Sequence, residues 1–176
     1  MRHPLEAIPS DKRATVFIPL LIATLLITFA FRFIGPAAPT IIDFEFAGTV
    51  TKATDIINAW TPIERIHAGF SLGFDFLYMP IYSTTIALAC VWAAGVFRSG
   101  AGKTIGVTLA WGLWLAAILD SIENLALMGN LFGSPIEPFP AIAALCATLK
   151  FGLILLGLVY VVGGAARRVL RRNANP

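Results

Sequence analysis

Asp120, Glu123 and Asn124 fall within five residues of one another in Leu119-Asp120-Ser121-Ile122-Glu123-Asn124-Leu125, inside an apolar run from Thr104 to Met128. Their i, i+3, i+4 spacing puts all three on one face of a helix. An ionised side chain in the hydrocarbon layer costs about 2.5 kcal/mol or more unless it is paired, neutralised or wet, so it marks a candidate site. Two carboxylates beside an amide are equipment for supplying charge or moving a proton.

Two other stretches carry matching groups. Asp75, Tyr78, Tyr82 and Thr85 recur at i, i+3, i+7 and i+10, a polar stripe on one helix face. Lys150 stands alone in the last apolar run. Three carboxylates and one ammonium cannot all stay charged cheaply at low dielectric. The expectation is a Lys150–carboxylate pair, with a proton held among the remaining acids. The competing reading is structural: Lys150 ties two spans together, while Asn124 and the tyrosines hydrogen-bond between helices.

The elements that must position these groups are membrane spans. The chain has 176 residues, 57% hydrophobic and 13% charged, unlike a soluble domain. Four apolar runs, Thr15–Phe33, Ala68–Phe97, Thr104–Met128 and Phe139–Ala166, are each long enough to cross ~30 Å of hydrocarbon. They predict an all-α bundle of four transmembrane helices forming one domain over 1–176. The net charge of +3 collects at span ends: Arg2, Lys12 and Arg13; Arg98 and Lys103; Arg167, Arg168, Arg171 and Arg172. The opposite side carries Asp43, Glu45, Asp55, Glu64 and Glu137 against Lys52 and Arg65. Positive-inside bias then predicts that both termini are cytoplasmic. Membrane topology accounts for the basic residues, and nothing points to nucleic acid.

Depth links the site to the topology. At ~1.5 Å per residue, Asp75 and Asp120 lie roughly nine residues from the outer end of their spans, Glu123 about six and Lys150 about eleven. Antiparallel helices therefore bring the four charges to one level in the outer half of the bilayer.

The remaining segments serve the frame. Met1–Arg13 is polar and reads as loose. The first span is too long for a signal-peptide core and reads as retained, with Arg32 snorkelling at its outer end. Gly35-Pro36-Ala37-Ala38-Pro39 breaks the helix. Between spans one and two, about 40–62, Ile41–Phe46 alternates as an extended surface segment would. Val50–Trp60 follows helical spacing, as an interfacial helix anchored by Trp60. Pro80, close to Asp75, predicts a kink. The two cysteines, Cys90 and Cys146, read as small packing residues.

Three motifs fail. Glu64-Arg65-Ile66-His67 has the Glu-x-x-His spacing of di-iron bundles, but the one other histidine is His3. Ser99-Gly100-Ala101-Gly102-Lys103-Thr104 imitates a phosphate loop, yet Phe97 stands where the first glycine belongs. No Ser/His/Asp arrangement appears. No metal or cofactor is predicted.

The phrases Thr40-Ile41-Ile42-Asp43-Phe44-Glu45-Phe46-Ala47-Gly48-Thr49, Leu72-Gly73-Phe74-Asp75-Phe76-Leu77-Tyr78 and Leu119–Leu125 resemble those of a widespread family of small bacterial four-span proteins. The resemblance covers most of the chain and implies the fold, with no activity attached.

The resulting expectation is a pocket in the outer half that binds or processes a small amphiphile, a lipid, isoprenoid or amine. Asp75, Tyr78, Tyr82, Asp120, Glu123, Asn124 and Lys150 would form its polar end, with membrane lipid as partner. Two rival expectations are an accessory subunit of a larger membrane complex and a proton-coupled carrier acting as an oligomer.

Overall fold

A computed structural model describes residues 2–36, 39–97 and 100–173, with side chains to residue 170. Ala37 and Ala38 of the first breaker, and Arg98 of the second basic cluster, lie outside the described residues, as do the side chains of Arg171 and Arg172. A 3-10 turn at Pro4–Ala7 leads into six helices: α1 Arg13–Ile34, α2 Ile41–Glu45, α3 Val50–Ala59, α4 Pro62–Ala94, α5 Gly100–Phe132 and α6 Phe139–Asn173. The four long ones are each apolar and long enough to span a membrane, and among the described residues there is no strand.

Each of α4 and α5 outruns its apolar stretch toward the face that carries α2 and α3, the loop face. For α4 the reason is local. Thr61 and Glu64 form a capping box, and Pro62 occupies the first turn, where its missing N–H costs nothing. Helix α4 then runs through Pro80 without a break.

Helices α4, α5 and α6 pack as a three-helix core, whereas α1 leans on α4 and makes no comparable contact with α5 or α6. Small residues allow the close approach. Gly157 of α6 faces Ile86, Cys90 and Leu113, and Gly164 sits against Ala93. Large apolar side chains point away from the bundle on every span, among them Leu26, Leu77, Ile118 and Leu155. A girdle of this extent matches hydrocarbon rather than water.

Inside, two apolar clusters bracket a polar layer. Toward the loop face, Phe44, Trp60, Leu72 and Leu127 pack together. Toward the face that carries both termini, Ala87, Cys90, Val91, Ala110 and Leu113 do so. Between them, in depth, lie Asp75 to Tyr82 on α4 and Asp120 to Asn124 on α5. Cys90 and Cys146 are buried free thiols.

Three expectations need correction. Ile41–Glu45 is helical rather than extended. Six residues are too few to separate a period of 2 from one of 3.6, and the Thr40–Asp43 capping box decides for helix. That turn buries Phe44 and Glu45 and leaves Ile42 outside. Gly48, at φ 69°, then reverses the chain into α3.

Trp60 is no headgroup anchor. It is buried against Phe44 at 5.3 Å between ring centroids, and its indole N–H donates to the Pro39 carbonyl at 2.7 Å. A tryptophan that finds both an apolar wall and a buried acceptor satisfies each half of its side chain inside the protein.

The N-terminal segment is docked rather than loose. His3 is 2% exposed, wedged between Trp111 and Trp114 of α5 at 4.7 and 4.5 Å. Its Nδ1 accepts the Leu5 N–H, and the Glu6 carboxylate accepts the His3 N–H, so the turn closes on itself. Lys103 and Glu6 pair across the same face at 3.8 Å.

Candidate functional site

Lys150, on α6, reaches across to α5 and donates to Asp120 Oδ1 at 2.7 Å and to Glu123 Oε1 at 2.8 Å. These three are among the least accessible side chains of the protein: Lys150 is 4% exposed, Asp120 3% and Glu123 0%. At low dielectric each such charge is tolerable only through its partner. From α4, the Tyr82 hydroxyl donates to Asp120 Oδ2 at 2.8 Å, so both oxygens of Asp120 are occupied. Asn124, one position after Glu123, uses its amide to donate to the Leu72 carbonyl and to Asp75 Oδ2, at 3.2 and 2.8 Å. Tyr78 lies against Tyr82, with 5.0 Å between ring centroids, and its hydroxyl meets Thr28 of α1 at 2.7 Å.

All seven residues singled out from the sequence thus lie in one layer, in three hydrogen-bonded sets: Lys150 with Asp120, Glu123 and Tyr82, Asn124 with Asp75, and Tyr78 with Thr28 of α1. The i, i+3, i+4 spacing of Asp120, Glu123 and Asn124 works as a divider. Glu123 points at α6, Asn124 at α4, and Asp120 touches both.

Sequence reasoning missed a fourth acid. Glu45, at the end of α2, folds down over the layer and places Oε2 3.7 Å from Lys150 Nζ. It is 9% exposed, and that oxygen has no hydrogen-bond partner; neither does Oε2 of Glu123. Burial pushes the Glu45 carboxyl above its ordinary value, with Lys150 opposing the shift and Asp120 adding to it. The available signal was the helical reading of Ile41–Glu45, which puts Ile41, Phe44 and Glu45 on one face. Thr24 and Thr28 were missed too, although they are hydroxyls one turn apart in an otherwise apolar span.

Glu45, Asp75, Tyr78, Tyr82, Asp120, Asn124 and Lys150 line a cavity of about 830 Å³, whereas Glu123 lies behind them. Thr24, Thr28, Phe31 and Arg32 of α1 make one wall, and Lys150, Phe151, Ile154 and Leu158 of α6 make another. Helix α4 lines the back from Ser71 to Ile86, and α2 roofs it with Ile41, Ile42 and Glu45. Helices α1 and α6 make no substantial contact, and the cavity lies between them. Toward the loop face the lining mixes Arg32, Thr40, Glu45 and Ser71 with Ile41, Ile42 and Leu72, and beyond the polar layer it is apolar, with Ile86, Ile154 and Leu158. Arg32 is exposed at the rim. The point where Asp120, Glu123 and Glu45 converge is filled by the Lys150 ammonium, so the described acids leave no open position there for a metal ion.

The chain matches no protein family, curated protein or solved structure in comparison with each. The chemistry therefore rests on the geometry itself: a polar layer with acceptors to spare, beside a large cavity between α1 and α6.

Proposed function

We propose that this cavity takes up a small amphiphile from the bilayer, its head at the level of Asp75, Glu45 and Lys150 and its tail along Ile86, Ile154 and Leu158. One observation carries the reading: the cavity gathers its charged groups in one layer and is lined beyond them, away from the loop face, by Ile86, Ile154 and Leu158. Lys150 to Leu158 spans roughly 12 Å of helix, room for a single hydrocarbon tail. If bound molecules are turned over, the groups present permit acid–base isomerisation or hydrolysis, with Asp120 and Glu123 as proton carriers tuned by Lys150. The basic residues of the terminal face orient the protein in the inner membrane with both termini cytoplasmic.

A second reading has its own support. Lys150 joins α5 to α6, and Tyr82 and Asn124 join α4 to α5, which is what an internal cross-brace would look like. In that reading the protein is a scaffold, a subunit of a larger complex or, as an oligomer, a proton-coupled carrier.

Purification in mild detergent, with mass spectrometry of extracted lipids and of the intact particle, separates these. The amphiphile reading expects a stoichiometric small molecule that is lost in Ile154→Trp, a substitution that fills the apolar end. A particle that carries no small molecule, and whose Asp120→Asn and Glu123→Gln variants lose only stability, supports the brace. A stoichiometric protein partner supports the subunit.

A further inference from the structure

We infer that the polar end of the cavity is built for an organic ammonium, a protonated aliphatic amine anchored on Asp75. The inference rests on the amphiphile reading and adds the charge of the head group.

The argument begins with what each acid already has. Asp120 and Glu123 are held by Lys150, and Asp120 also by Tyr82. Glu45 stands within ion-pair distance of the same ammonium. Asp75 has no such partner. Among the described residues no lysine, arginine or histidine lies within 4.0 Å of its carboxylate, and its one hydrogen bond comes from the neutral Asn124 amide. Asp75 is half-buried on the cavity wall, open to whatever occupies it.

A second observation is independent of Asp75. Oε2 of Glu45, on the roof of the same cavity, accepts no hydrogen bond, and its ion pair is with Lys150 at 3.7 Å, so acceptors in this layer outnumber donors. An ammonium offers only donors, whereas a carboxylate or phosphate head offers only acceptors where acceptors are already in surplus. Four carboxylates face one lysine in this layer, so an anionic head would add a like charge.

The third observation is aromatic. Tyr78 lies between Phe31 and Tyr82, at 5.5 and 5.0 Å, next to Asp75 on α4. The two tyrosine hydroxyls are committed, to Thr28 and to Asp120. Phe31, Tyr78 and Tyr82 all line the cavity, and the face of an aromatic ring attracts a cation. Arg32, the other cation of the lining, sits one turn farther out than Thr28 and is exposed, so it does not neutralise Asp75.

The test uses the full chain in phosphatidylcholine nanodiscs, titrated with dodecylamine, dodecanol and dodecanoate, binding being read by native mass spectrometry. The three probes share a tail and differ in head charge. Dodecylamine is expected to saturate at one per chain and to bind at least about tenfold more tightly than either of the others, the scale of one charge-assisted hydrogen bond. Asp75→Asn should remove that preference, and Asp75→Glu should keep it. Equal binding of dodecanol or dodecanoate, or an unchanged amine preference in folded Asp75→Asn, overturns the ammonium site. In that event, saturable binding lost in Ile154→Trp leaves the amphiphile reading standing. If none of the three saturates, both readings fall. Should Asp75→Asn fail to fold, the three-probe series on the wild type and on Asp75→Glu decides.

Discussion

Glu45 and Lys150 belong to different kinds of element, a five-residue surface helix and a membrane span, yet their charged atoms are 3.7 Å apart. The roof of the cavity is thereby set directly against the polar layer.

Removing the ammonium should be the most damaging single change in the layer. Lys150→Met would leave Asp120, Glu123 and Glu45 without a cation, and breaking a buried pair in this way costs about 3–5 kcal/mol. Unfolding in mixed detergent, followed by tryptophan fluorescence, is expected to show that loss. Adding Asp120→Asn and Glu123→Gln to Lys150→Met should recover a large part of it. If the triple variant is as unstable as the single one, the loss comes from packing and not from orphaned charge.

Docking of α2 should depend on pH. The Glu45 carboxyl is raised above its ordinary 4.5 by burial, so the folded state favours the protonated form. Its contribution is full below that value and fades as pH rises through the raised one. Hydrogen exchange of residues 40–46 should accelerate across that interval, and Glu45→Gln should flatten the profile. Exchange that is equally pH-dependent in Glu45→Gln would assign the effect to another group.

The N-terminal segment should respond in the opposite sense. Burial between Trp111 and Trp114 holds His3 below its ordinary 6.5, with Glu6 opposing. A depressed histidine favours the docked state above 6.5 and loses that contribution as pH falls through the lowered value. Protonation also removes the Nδ1 lone pair that accepts the Leu5 N–H. Below pH 6.5, protease sensitivity of residues 2–12 should rise and Trp111 and Trp114 emission should change. His3→Phe should abolish both responses.

The tight α4–α6 contact can be checked with neighbouring glycines. A Cβ at Gly164 would stand 2.7 Å from the Ala93 Cβ, whereas one at Gly163 meets nothing within 4 Å. Gly164→Ala is expected to cost about 1–3 kcal/mol through overpacking, while Gly163→Ala is tolerated. Equal melting temperatures for the two variants would mean that the helices are not as close as described.

Local composition and spacing were enough for the frame. Long apolar runs can satisfy their backbone in lipid only as helices, so four spans follow from hydropathy alone. Asp120, Glu123, Asn124 and Lys150 were conspicuous for the same reason, being expensive where they stand. Counting rise per residue put Asp75, Asp120, Glu123 and Lys150 at one depth, and Lys150 is in contact with Asp120 and Glu123, while Asp75 is held instead by Asn124.

What tertiary structure alone decided is which short segments close over the bundle. Thr40 to Phe46 carries two periods at once; its capping box favours the helix, but only packing of Phe44 against Trp60 and Leu127 sets that helix where Glu45 meets Lys150. His3 likewise acquires a place only because Trp111 and Trp114, more than a hundred residues away, make a slot for it. The position of α1 is of the same kind. Its sequence says that it crosses the membrane, but its contact with α4 and not α6 is what leaves a cavity between them. Periodicity reports what one element can do with its own neighbours in the chain. A site shared by five helices depends on contacts between residues far apart in sequence, which no local pattern encodes.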